Sequence, residues 1–168
     1  SVSLAIRREW MYPVGGEIEQ NSLNISLGNR IKAPWSWFMK IALVSPTPAD
    51  HYSPCIRTLT AFLKLHVHEV RQVFLPADTY SHLHVREGYI MQMSQSMVED
   101  LVALCEDVDL VGISFLTSMF DIAVQATRAL QLADPDRRIV WGGFHPTTMP
   151  QQALDFVDMV CVGEGEHA

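Results

Sequence analysis

The residues best suited to chemistry in this sequence gather in four short runs. They are Ser45-Pro46-Thr47-Pro48-Ala49-Asp50-His51-Tyr52, Ser114-Phe115-Leu116-Thr117-Ser118, Gly142-Gly143-Phe144-His145-Pro146-Thr147 and Gly163-Glu164-Gly165-Glu166. Each follows a short apolar stretch, and each suits binding better than bond cleavage. Glycine lets a backbone approach a large flat ligand and supplies turns with positive φ. Serine and threonine hydrogen-bond without bulk. Any α/β protein favours such residues in its turns, so one run alone says little; four in series point to a ligand site. Glu164 and Glu166 could act on a substrate, but without an acid–base partner the binding-loop reading is preferred.

Other chemistries fail on spacing. Seven histidines include the pairs His66/His68 and His82/His84, which read as solvated loop residues rather than metal ligands. The three cysteines, Cys55, Cys105 and Cys161, are far apart and odd in number. They fit neither a disulfide framework nor a CxxC metal site, and they suggest free thiols in a reducing, cytoplasmic setting. No GxGxxG follows the first apolar run, and GxxxxGK[ST] is absent. A receiver domain would need acidic residues directly after the first apolar run and an aspartate after the third.

The whole chain bounds these readings. Its 168 residues are 48% hydrophobic and 18% charged, with a net charge of −7. That composition supports one core and excludes disorder throughout. The acidic balance argues against a nucleic-acid partner. No apolar run approaches the ~18 residues of a membrane span, so no membrane partner is expected. The opening SVSLAIRREW lacks the order of a signal peptide.

From residue 40 onward, elements that could position the four runs alternate regularly. Continuously apolar strands are predicted at 41–44, 70–75, 110–116, 138–141 and 159–162. Helices are predicted from Pro54, with Ile56, Leu59, Leu63 and Val67 on one face, and over 89–108, where Ile90, Met93, Met97, Leu101, Leu104 and Val108 recur. A further helix spans 119–133, and a short one starts near Pro150. The polar stretch 77–88 reads as a loop. Continuous apolarity means strands buried on both faces, hence a parallel sheet between helical layers. The expected architecture is an α/β, doubly wound, five-stranded parallel sheet in the flavodoxin-like order 2-1-3-4-5, with its ligand at the carboxyl ends of the strands. Residues 1–38 show no periodicity and are expected to be largely irregular. They are either a vector-derived or upstream segment before a start at Met39, or a genuine extension; the domain proper is 39–168.

Three stretches, LVGISFLTS at 110–118, RRIVWGGFHPTTMPQQAL at 137–154 and VDMVCVGEGE at 157–166, resemble the cobalamin-binding domain of cobalamin-dependent radical SAM proteins. The likeness extends over roughly 39–168. It implies that cobalamin is the cofactor, with Ser114, Leu116 and Thr117 lining a slot for its lower ligand tail. Gly142 and Gly143 would let the backbone pass that tail beside Phe144, His145 and Pro146, and Gly163 and Glu164 would close the other side. Pro46, Thr47, Asp50 and Tyr52 would border the cofactor from the first strand end. The chain departs from the DxHxxG of methionine-synthase-type domains: Asp50 fits, but Tyr52 stands where the cobalt-ligating histidine would be and Cys55 where the glycine would be. No protein ligand to cobalt is therefore expected, with His51, one place off, the sole candidate. In such relatives a CxxxCxxC motif for a 4Fe-4S cluster and S-adenosylmethionine lies C-terminal to the Gly-Glu-Gly-Glu strand. The resemblance thus implies a fragment that binds its cofactor but does not itself catalyse, partnered by a C-terminal radical SAM domain of the same parent enzyme. The alternatives are a cofactor-free scaffold of the same fold and a flavodoxin-like domain for another ligand.

Overall fold

A computed structural model describes residues 3–6, 38–47, 54–66, 68–75, 81–85 and 88–167 of the chain. The strands are β1 (Ser3–Ile6), β2 (Lys40–Ser45), β3 (Glu69–Phe74), β4 (Ser81–Val85), β5 (Gly88–Gln92), β6 (Leu110–Ser114), β7 (Ile139–Gly142) and β8 (Met159–Val162). The helices are α1 (Pro54–Leu65), α2 (Gln95–Leu104), α3 (Phe120–Ala133), α4 (Phe144–Thr148) and α5 (Pro150–Ala153).

The main sheet runs β1-β8-β7-β6-β2-β3. Its five strands from β2 onward pair in parallel, and counted along the chain they have the expected order 2-1-3-4-5. β1 adds a sixth, antiparallel strand, with Ser3 opposite Val162 and Ile6 opposite Met159. A strand inside 1–38 was not anticipated, because four residues are too few to show a period.

The sheet alternates its side chains between two cores. From β2, Ala42 and Val44 join the larger core with Met97 and Leu101 of α2 and Ile122 and Leu130 of α3. Ile41 and Leu43 join the smaller core under Ile56 of α1. Trp141 of β7 is fully buried in the larger core. Its indole N–H donates to Thr127 Oγ1 at 2.8 Å, which satisfies the one polar group that burial would otherwise strand.

One predicted region is corrected. The sequence pattern predicts a loop over 77–88 and a helix over 89–108, but a hairpin, β4 paired with β5, occupies the junction, and the helix begins only at Gln95. Ser94 caps it, accepting the Met97 N–H at 3.3 Å. Gln125 of α3 holds the strand end extended: its Nε2 donates to the Met91 carbonyl at 2.7 Å, and its Oε1 accepts the Met93 N–H at 2.9 Å. Met91 and Met93 thus reach the larger core at strand spacing, although Met93 and Met97 also fit a helical period. The far end is shorter too, since Cys105 ends α2. A second short helix, α4, precedes the one predicted at Pro150.

Candidate functional site

The two faces of β6, β7 and β8 differ sharply in side-chain size. Toward α2 and α3 they present Val111, Ile113, Ile139, Trp141 and Val160. The alternate residues, on the α1 side, start with Leu110 in the smaller core, but toward the carboxyl ends, beyond Val140, they are Gly112, Ser114, Gly142, Cys161 and Gly163. These small residues leave space where the other face is filled, and a cavity of about 510 Å3 lies over them. Cys55, Thr58 and Leu59 from the start of α1 form one wall; Phe144, Thr147 and the loop from Gly163 to Glu166 form the other. Its size is that of a small-molecule or cofactor site.

The turns at its mouth have fixed shapes. Gly143 follows β7 with φ +91°. A Cβ there would stand 2.8 Å from Ser114 Oγ and 2.9 Å from Phe115 N, so backbone conformation and crowding both demand glycine. Gly163, after β8, has φ +94°, and its N–H donates to Thr147 Oγ1 at 3.1 Å. Gly165 lies against α1, since a Cβ on it would touch Leu59 at 3.4 Å. The loop after β8 therefore spans from α4 to α1 across one side of the cavity.

The electrostatics of the lining are negative. Its described residues include Glu164 and Glu166 but no lysine or arginine. The Cys161 thiol on the floor is pushed up by burial first, then by the charges of Glu166 and Glu164. That thiol stays protonated and feels both carboxylates from inside the cavity.

Of the residues expected to form the site, Ser114, Gly142, Gly143, Phe144, Gly163 and Glu164 come together around this cavity. Others do not line it. Pro46 is buried, and the Thr47 hydroxyl pairs with that of Ser45 at 2.7 Å. Leu116 and Thr117 are exposed. His145 and Pro146 are buried instead: the His145 ring stacks on Phe115 and tilts against Phe120, on the larger-core side. Its Nδ1 lies 3.3 Å from Thr117 Oγ1, while Nε2 is buried with no hydrogen-bond partner among the described residues. Burial lowers the pKa of this imidazole, which favours the neutral ring. Asp50, His51 and Tyr52 lie outside the described residues. Sequence reasoning missed Gly112, Val140 and Cys161, which sit inside strands; for Gly112 and Cys161 the signal was a small residue alternating with larger ones. It also missed Cys55, Thr58 and Leu59, whose place on α1 follows only from the packing. Among the described residues no group of histidine, cysteine and carboxylate side chains could hold a metal ion, and no helix is long and apolar enough to cross a membrane.

A parallel sheet in this order, with a cavity at the carboxyl ends of its central strands, defines a flavodoxin-like α/β ligand-binding domain. More particularly, residues 41–168 match the B12 binding domain, and the chain belongs to that family. No curated protein matches it. Among solved structures it is similar to a beta-glucosidase from Listeria innocua in complex with isofagomine, at 15% identity and TM-score 0.49, covering 77% of this chain and 19% of that one. It is also similar to a glycoside hydrolase family 3 beta-N-acetylglucosaminidase from Paenibacillus sp. str. FPU-7, at 11% identity and TM-score 0.49, covering 88% and 30%. The chain spans less than a third of either enzyme's length, and likenesses this weak bear on neither its ligand nor its activity.

Proposed function

We propose that the cavity holds the nucleotide tail of cobalamin and that the chain is the cobalamin-binding module of a radical SAM protein. The observation that carries the ligand reading is the floor of small residues on the α1 face of β6, β7 and β8. It leaves room for a flat aromatic base within a domain of the B12 binding family. Ser114, Gly142, Gly143, Phe144, Gly163 and Glu164 would hold the cofactor. Bound there, cobalamin would supply methyl-transfer or related radical chemistry to a catalytic domain. The radical SAM assignment rests on the order of the Ser-x-Leu, Gly-Gly and Gly-Glu-Gly-Glu runs. A 4Fe-4S cluster and S-adenosylmethionine would belong to that catalytic domain.

Charge favours cobalamin over a flavin nucleotide. Flavin mononucleotide brings a phosphate monoester of nearly two negative charges to a lining that offers two carboxylates and, among its described residues, no cation. The cobalamin phosphodiester carries one charge, balanced within the molecule by the metal. Mixing the chain with hydroxocobalamin should therefore give a saturable shift of the visible spectrum, and flavin mononucleotide should give none. No corrinoid retained through gel filtration would leave the scaffold reading. For the parent enzyme, the observation is the reading frame beyond Gly-Glu-Gly-Glu: a CxxxCxxC motif there supports a radical SAM partner, and a different catalytic domain refutes it.

A further inference from the structure

The bond between Gly163 and Thr147 joins two parts of the cavity wall that come from different turns. Thr147 lies in α4, after β7; Gly163 opens the loop after β8. The Thr147 hydroxyl is the acceptor that the structure gives to the Gly163 N–H. Both residues line the cavity, and the same loop rests on Leu59 of α1. Resting on the cobalamin reading above, we propose that Thr147 is a positioning residue: its hydroxyl latches the loop 163–166 against α4 and so sets how long the ligand stays bound.

The direction of the effect follows from solvent. Gly163 is exposed, so in the free protein water can replace the hydroxyl at its N–H, and the bond contributes little. A ligand filling the cavity removes that water. The bond then lies in a poorer dielectric and strengthens, and an N–H left without its acceptor bears the full cost of lost solvation. Removing the acceptor thus weakens the bound state more than the free state. The loss should appear in dissociation, because the latch holds a loop already docked rather than guiding encounter.

Two variants separate this role from packing. Thr147→Val keeps the shape and removes the acceptor; Thr147→Ser keeps the acceptor. With hydroxocobalamin followed by absorbance, Thr147→Val should bind about tenfold more weakly, mostly through faster dissociation. Thr147→Ser should stay within about twofold of the wild type, because it retains the hydrogen bond that sets the effect. Amide hydrogen exchange adds a readout that packing alone would not move. Ligand should slow exchange at Gly163 in the wild type and in Thr147→Ser by more than in Thr147→Val, where exclusion of water acts without the hydrogen bond. Wild-type binding with an unchanged Thr147→Val dissociation rate overturns the latch alone. Equal weakening by both variants assigns the effect to lost packing and also overturns it. No binding by the wild type overturns the cobalamin reading and the latch with it.

Discussion

Gly142 and Gly143 are adjacent in sequence, yet a side chain on each meets different surroundings. On Gly142, a Cβ would touch only the Cys161 Cβ at 3.7 Å, and the residue faces the cavity. On Gly143 it would collide with Ser114 Oγ and Phe115 N in a backbone of φ +91°. Gly142→Val should therefore fold, with its melting temperature within a few degrees of the wild type, and lose most hydroxocobalamin binding. Gly143→Val should lose the fold itself. Titration and thermal melts of both variants check this, and equal damage to folding would mean that Gly142 is a packing glycine. His145 supports a second prediction at this scale. Its ring is buried among Phe115 and Phe120, and burial holds its pKa below the ordinary value of ~6.5. Between that value and the lower folded one, the unfolded chain binds more protons than the folded chain, so the stability contributed is present above pH ~6.5 and is lost as pH falls below it. Asp107, which Arg71 holds below the usual carboxylate range by a hydrogen bond, acts only at more acidic pH. Melting temperatures at pH 7.5 and 5.5 should fall more for the wild type than for His145→Phe, which keeps an aromatic ring and cannot titrate. Parallel falls would show that His145 is not a source of the acid sensitivity.

Elements were legible wherever one local rule governed them. Four of the five parallel strands are near-continuous apolar runs because both their faces are covered. The edge strand β3 shows instead buried Val70 and Val73 among polar Glu69, Arg71 and Gln72. α3 was legible because Ile122, Ala126 and Leu130 keep one face. The hairpin was not legible. Its strands are short, and the bonds that fix β5 come from Gln125, more than thirty residues later in the chain. Met93 and Met97 satisfy a helical period, so the pattern over 89–93 fitted two elements, and a tertiary contact chose the strand. The site divided along the same line. Ser114, Gly142, Gly143 and Gly163 were readable because strand ends place them. His145 follows a strand in sequence as the others do, yet α4 turns its ring into the core, a placement that strand order alone does not show. The α1 wall was invisible, since nothing local tells which helix faces which strand. The small residues at the carboxyl halves of the strands carried a usable signal: Gly112 lies between Val111 and Ile113, Gly142 follows Trp141 and Cys161 follows Val160, and that contrast in volume marks the face where a ligand can lie.

At the scale of the whole molecule, β1 raises the question of what the domain requires. The B12 binding match begins at residue 41, and residues 41–168 contain the five parallel strands apart from Lys40 of β2, both helical layers and every described residue lining the cavity. β1 contributes backbone pairing along one edge, from Ser3 opposite Val162 to Ile6 opposite Met159. A chain beginning at Phe38 should consequently fold and bind hydroxocobalamin within a few-fold of the full chain. It should also melt at a lower temperature, because β8 would lose its outer hydrogen bonds. Without β1 the backbone groups on that side of β8 become an open edge, which invites pairing between chains. Sedimentation should accordingly show concentration-dependent association for the truncated chain and less for the full one. A truncated chain that melts and sediments like the full chain would mean that β1 adds nothing to the sheet in solution. Failure to fold would make the segment an integral part of the domain, against the boundary that the family match sets at residue 41.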